Sequence, residues 1–147
     1  MSGSDPAGST LRARVFRLED LPVSRVGGTY RQAAIAGDNC TVGLHWFEPD
    51  HPPWDAPHSH PFDQLAFVLE GAMRFTLGDD VIEVEGPAVV WIPADLPHSA
   101  DVIGHKPCFN LDVFGLVRDD FAALFPAPDV GEIPTRGIHR DRPDRAE

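Results

Sequence analysis

Fifteen prolines and thirteen glycines cut this 147-residue chain into short pieces, and that punctuation limits what it can fold into. A proline inside a helix removes a backbone donor and clashes with the preceding turn, and an interior glycine weakens either kind of element. Long helices are disfavoured, and a series of short strands is what remains. Leu11 to Arg17 alternates apolar and polar side chains and predicts a first strand. Gly27-Gly28 signals a turn; Tyr30 to Ala36 and Cys40 to Phe47 then read as strands around Gly37-Asp38-Asn39. Gln64 to Glu70, Ala72 to Leu77, Val81 to Glu85, Ala88 to Ile92, His98 to Ile103 and Cys108 to Phe114 complete the set, with Gly78-Asp79-Asp80 as one of the turns. Asp119 to Phe125 alone reads as helix, acidic at its start and stopped by Pro126. Many short strands with turns between them imply an all-β sandwich or barrel, the group that includes jelly rolls.

The expected organisation is a disordered arm over residues 1–10, one domain over 11–125 and a proline- and charge-rich tail over 126–147. A net charge of −11, with Lys106 the single lysine, opposes nucleic acid and anionic membrane surfaces as partners. Cys40 and Cys108 make no disulfide framework, and Met1 to Thr10 carries no apolar run of a secretion signal. The expectation is a reducing, cytoplasmic setting.

Chemistry concentrates in Pro57-His58-Ser59-His60-Pro61-Phe62-Asp63-Gln64, inside a stretch from Glu48 to Pro61 too dense in proline for helix. Residues two apart on extended backbone point to one face, so His58 and His60 can share an ion. Gln64 has the same parity and offers a neutral amide oxygen. His98 follows the turn Pro93-Ala94-Asp95-Leu96-Pro97, from which a returning strand would bring it opposite the pair. Three imidazoles and one oxygen suit one divalent ion (Zn, Fe, Ni, Mn or Co) with a position left for water or substrate.

His58-x-His60-x-x-x-Gln64, followed six residues later by Gly71, resembles the first sequence motif of the cupins, which normally has glutamate where Gln64 stands. Gly86 to His98 is similar to the second, in which a glycine usually occupies the place of Asp95. The resemblance spans roughly residues 30–115. It implies a cupin-type jelly-roll barrel (a double-stranded β-helix) with one short C-terminal helix, and metal ligands at His58, His60, Gln64 and His98.

Replacing the usual glutamate by Gln64 leaves a neutral ligand set and a more positive ion, which favours Lewis-acid chemistry over redox chemistry. His45, on the strand to Phe47, is a candidate general base or fourth imidazole, with a core histidine as the plainer reading. Asn110 and Asp112 share one face of the last strand; substrate, a metal ligand or solvent would account for them, and Asn110 is a candidate catalytic residue. His51 and His105 read as solvated loop residues, and the tail's His139 carries no role. The aromatic residues Trp46, Trp54, Phe62, Phe67, Phe75, Trp91, Phe109 and Phe114 supply core and some pocket wall.

Three functions follow. The first is a metal-dependent cyclase or isomerase that stabilises an enolate of a small polyoxygenated substrate; small cupins with a His, His, Gln, His set resemble polyketide cyclases. The second is a dioxygenase that cleaves a diketone or an aromatic diol-like compound. The third is a non-catalytic module that binds a small ligand. The family resemblance also implies a homodimer, with Leu11 to Arg17 as its contact segment.

Overall fold

In the computed structural model, residues 13–53, 56–127 and 130–134 are described. The chain divides into two compact units, Pro22–Pro126 and the combination of Met1–Leu21 with Ala127–Glu147. All nine strands belong to the first: β1 (Ser24–Val26), β2 (Tyr30–Ala36), β3 (Thr41–Phe47), β4 (Gln64–Glu70), β5 (Ala72–Leu77), β6 (Asp80–Glu85), β7 (Ala88–Ile92), β8 (His98–Ile103) and β9 (Cys108–Phe114). They form two antiparallel sheets, one ordered β1-β2-β3-β9-β4-β7 and one ordered β6-β5-β8. This is the all-β jelly-roll arrangement.

Eight of the strands, β2 to β9, coincide with the expected segments to within one residue, because their apolar–polar alternation matches a sheet with one buried face. On β9 the buried side chains are Cys108, Asn110, Asp112 and Phe114, every second residue. On β4 they are Gln64, Ala66 and Val68. Phe75, Phe114, Leu44, Met73, Ile92 and Val68 are the largest fully buried apolar side chains, and each contributes about 1.5–3 kcal/mol by leaving water.

The first expected strand is corrected. No strand forms over residues 13–17, the described part of Leu11 to Arg17; Val15 alone bridges to Glu132, with backbone bonds of 2.8 and 2.9 Å. Alternation without a partner along its length makes no ladder. The outermost strand is instead β1, whose pairing with β2 is set by the turn at Gly27-Gly28. The expected C-terminal helix forms over Asp119–Leu124 as a 3₁₀ helix, with i→i+3 bonds at Phe121 and Phe125; six residues are too few to sustain α-helical cooperativity. The arm 1–10, Trp54 and His139 lie outside the described residues.

Two positions of the motifs have a backbone reason. Gly71 has φ +78°, and a Cβ there would lie 2.6 Å from the Pro107 carbonyl oxygen. Asp95, in the place where the resemblance expects glycine, has φ +66°. Aspartate is one of the few residues with a side chain that tolerates this region, so the turn survives the exchange.

Candidate functional site

The turn between β7 and β8 carries His98 back onto the segment before β4. His58 and His98 exchange backbone hydrogen bonds of 2.9 and 2.8 Å, and the Asp95 N–H donates to the His60 carbonyl at 2.8 Å. These bonds bring the three imidazoles together. Ring centroids lie 4.5 Å apart for His58–His98, 4.9 Å for His60–His98 and 6.0 Å for His58–His60. One nitrogen from each ring falls within 4.8 Å of the others. His60 and His98 are buried and His58 is exposed.

Hydrogen bonds set the tautomers. His60 Nδ1 donates to the Phe62 carbonyl and His98 Nδ1 to the Leu96 carbonyl, each at 2.8 Å. A carbonyl only accepts, so both Nδ1 atoms carry hydrogen and both Nε2 atoms present lone pairs when the ring is neutral. Partial desolvation on the side facing the cluster, and then the neighbouring imidazoles and the Arg118 charge, pushes the His58 pKa down. Burial also lowers that of His98, with the Leu96 bond opposing it. The deprotonated, ligating form is favoured in both.

Gln64 opens β4 beside this cluster, its Oε1 3.2 Å from His60 Nε2. The amide nitrogen hydrogen-bonds Asp112, which holds the oxygen toward the imidazoles. Asp112 is itself a junction. It takes a hydrogen bond from Asn110 Nδ2 at 3.1 Å and pairs with His45 Nε2 at 3.2 Å. Its cross-strand neighbours on either side are Gly43 and Ala66, both small, and this leaves the diagonal neighbours His45 and Gln64 room to reach it. A Cβ on Gly43 would lie 3.0 Å from His45 Nε2. Burial pushes the Asp112 carboxyl up, but the bonds from His45, Asn110 and Gln64 outweigh it and leave the pKa below the ordinary carboxylate range.

His45 is enclosed on both sides. Its Nδ1 lies 2.6 Å from the Tyr30 hydroxyl, which also donates to Gln32 Oε1 at 2.9 Å. Burial, then the Asp112 charge, raises the Tyr30 pKa, so the phenol stays protonated through the neutral range. Asn110 spends both amide hydrogens, on Asp112 and on the Phe67 carbonyl at 3.0 Å. Its oxygen is the atom left to meet a ligand.

His58, Gln64, His98, His45, Asn110 and Asp112 all line one cavity of about 530 Å³. Met73, Phe75 and Ile92 form apolar wall in the same cavity. Tyr30, Phe121 and Arg118 also line it, and no sequence motif marks any of the three. Tyr30 reads as an ordinary strand aromatic, and Arg118 and Phe121 follow the last strand with no motif around them. The solvated reading of His51 is corrected: Nδ1 bonds Thr29 Oγ1 at 2.9 Å and the ring packs on Tyr30 and Phe47. His105 is exposed as expected. Cys40 and Cys108 are both unpaired by disulfide, the first exposed and the second buried. Among the described residues no helix is long and apolar enough to cross a membrane.

Residues 47–114 match the family model described as a cupin domain. The chain is 30% identical over 87 residues to an uncharacterised protein of Streptomyces coelicolor, a match that covers 58% of this chain and 80% of that one. The chain belongs to the cupin superfamily. Solved structures with this fold include KdgF from Halomonas, with a TM-score of 0.63 at 19% identity over 72% of this cupin and 97% of that chain. An RmlC-like cupin from Shewanella frigidimarina gives 0.64 at 17% over 74% and 96%. Oxalate decarboxylase from Bacillus subtilis gives 0.62 at 17% over 74% of this cupin and 31% of that chain. At these identities the likeness is one of fold.

Proposed function

We propose that this cupin is a divalent-metal-dependent enzyme that cyclises or isomerises a small, enolisable, polyoxygenated substrate. The observation that carries the reading is an electrostatic misfit. His60 Nε2 and Gln64 Oε1 face each other at 3.2 Å, each presenting a lone pair, because Phe62 and Asp112 occupy the hydrogens on their far sides. His98 Nε2 is buried beside them with no hydrogen-bond partner among the described residues. Acceptors gathered in this way match a cation, so the residues fit a metal held by His58, His60, His98 and Gln64. The bound ion would supply Lewis acidity to a carbonyl group of the substrate.

The chain's own residues supply the proton path. Ionised Asp112 only accepts, so His45 Nε2 keeps its hydrogen and Nδ1 is where the second proton comes and goes. With Nδ1 bare, the Tyr30 hydroxyl can donate to it; with Nδ1 protonated, the hydroxyl can turn its hydrogen to Gln32 Oε1. One proton separates these two arrangements. The Tyr30 oxygen accepts a proton from a substrate carbon as its own moves to His45 Nδ1. The electron pair of the broken C–H bond stays on the substrate. His45 and Asp112 position and drive this transfer, and Asn110 holds Asp112. The all-neutral ligand set has its negative charge one hydrogen bond away, on Asp112, and a glutamate at position 64 would set two carboxylates against each other.

Metal analysis of protein purified without added metal tests the reading. One divalent ion per chain is expected in the wild type and none in His98→Ala. A 1,3-diketone such as pentane-2,4-dione should show enolate absorbance near neutral pH on mixing with the metal-loaded protein, without oxygen. Failure to bind any of the five candidate metals stoichiometrically would sink the proposal. Bleaching that needs both iron and dioxygen would replace it with diketone cleavage.

A further inference from the structure

We infer that Arg118 is the receptor for a carboxylate on the substrate, so that the substrate of this site is an enolisable organic acid. The inference rests on the reading above for the cavity's use, and on separate observations for the acid. Arg118 lines the same cavity as His58, Gln64 and His98.

Its placement is built from several directions. The fully buried Thr41 takes the Arg118 backbone N–H on Oγ1 at 2.8 Å and donates to the Leu116 carbonyl at 2.7 Å. The guanidinium carbon lies 5.2, 4.6 and 4.3 Å from the ring centroids of Phe62, Phe114 and Phe121. Phe62 in turn stacks on His60 at 4.2 Å, so one ring separates the guanidinium from the histidine cluster. Asp120 grips one edge, taking Nε at 3.0 Å and Nη2 at 2.5 Å. The side chain of Arg118 is 15% exposed, against 59% for Asp120.

Nη1 donates to nothing among the described residues. A guanidinium held between aromatic rings with one edge clamped and one edge open is shaped for a second carboxylate, and its planar fork suits that group better than an ammonium does. Holding Arg118 merely to anchor the helix Asp119–Leu124 would need only the Asp120 edge. The chain carries a net charge of −11 and repels anions over its surface at large, so a guanidinium lining the cavity is the local attraction an anionic substrate would need to enter it. The chelating end of the substrate would face the imidazoles and the carboxylate would face Arg118.

The test uses 4,6-dioxoheptanoate, a 1,3-diketone with a carboxylate two methylenes away, and its methyl ester. Both are titrated into zinc-loaded wild type and Arg118→Gln, with enolate absorbance and calorimetry as readouts. The acid should bind the wild type at least about tenfold more tightly than the ester, as expected for one charge-assisted carboxylate pair at about 1.4 kcal/mol per decade. In Arg118→Gln the two should bind alike. A second measurement does not depend on the diketone: the Arg118 guanidinium resonances of the metal-free protein should shift on titration with butanoate. Equal binding of acid and ester by the wild type, a preference that survives in Arg118→Gln, or resonances that butanoate leaves unmoved would overturn the inference. Absence of any enolate while butanoate still shifts those resonances would remove the metal chemistry and leave the carboxylate receptor standing.

Discussion

The two walls of the cavity come from different sheets and solve different problems. The six-stranded sheet contributes the polar side chains Gln32, His45, Gln64, Asn110 and Asp112 beside apolar Phe47, Ile92 and Phe114; the three-stranded sheet contributes a mainly apolar wall, Met73, Phe75 and Ala100 from β5 and β8, besides Ser99 and His98. Both walls are built by the same alternation along strands, and both bury their side chains. The apolar wall gains stability by excluding water, whereas the polar wall keeps its groups buried only because each one has a partner. The apolar wall should therefore govern whether the barrel holds together, and the polar wall whether it holds an ion in the right electronic state.

The comparison breaks if damage to one wall reads out as damage to the other. Phe75 is 1% exposed, and Phe75→Ala should destabilise the fold by about 3–5 kcal/mol, the range for emptying an aromatic site in a core. Chemical denaturation with metal absent checks the size, and the folded fraction should still take up one ion. An ion lost at unchanged stability would show that the apolar wall shapes the metal site directly.

Asp112→Asn tests the other wall. The variant keeps the shape but loses the charge and one acceptor, so Gln64 and His45 can no longer both be held. Metal affinity should fall by about 10–100-fold, as when a group behind a ligand is removed, while stability falls by about 1–2 kcal/mol. Competition with a chelating dye reads the affinity. Wild-type affinity would mean that Gln64 keeps its orientation without Asp112.

The smallest effect sharpens the comparison within a single strand. Cys108 and Asp112 lie on the same buried face of β9, yet burial alone pushes the Cys108 thiol up to about 11 while hydrogen bonds bring Asp112 down. A thiol raised above its unfolded value of 9.0 adds stability that is complete below that pH and is lost as pH rises toward 11. The loss should be visible as a modest fall in Tm across that interval, reduced in Cys108→Val. At pH 8 iodoacetamide should modify exposed Cys40 and spare Cys108 until the protein unfolds; equal rates would show that this end of β9 opens readily.

Much of the barrel is legible in the sequence alone. From Tyr30 to Phe114 the strands follow from alternation and from the glycines and prolines between them, which are local properties of the chain. The histidines were legible because His58 and His60 sit two apart and His98 closes a turn of recognisable form. The 13–17 segment misled because alternation states that a strand could have two faces, and says nothing of whether a neighbour exists to pair with it.

What the sequence by itself determined, then, is the order of the strands, the face each side chain takes and the group of donors that can meet an ion. Tertiary structure alone decided that Asp112 lies between Gly43 and Ala66 with Gln64 and His45 turned toward it, that Tyr30 carries the hydrogen bonds begun there on to Gln32, and that Arg118 lines the same cavity. These relations join residues tens of positions apart in the chain across paired strands. Register between strands is set by the whole sheet, and no spacing within one strand contains it.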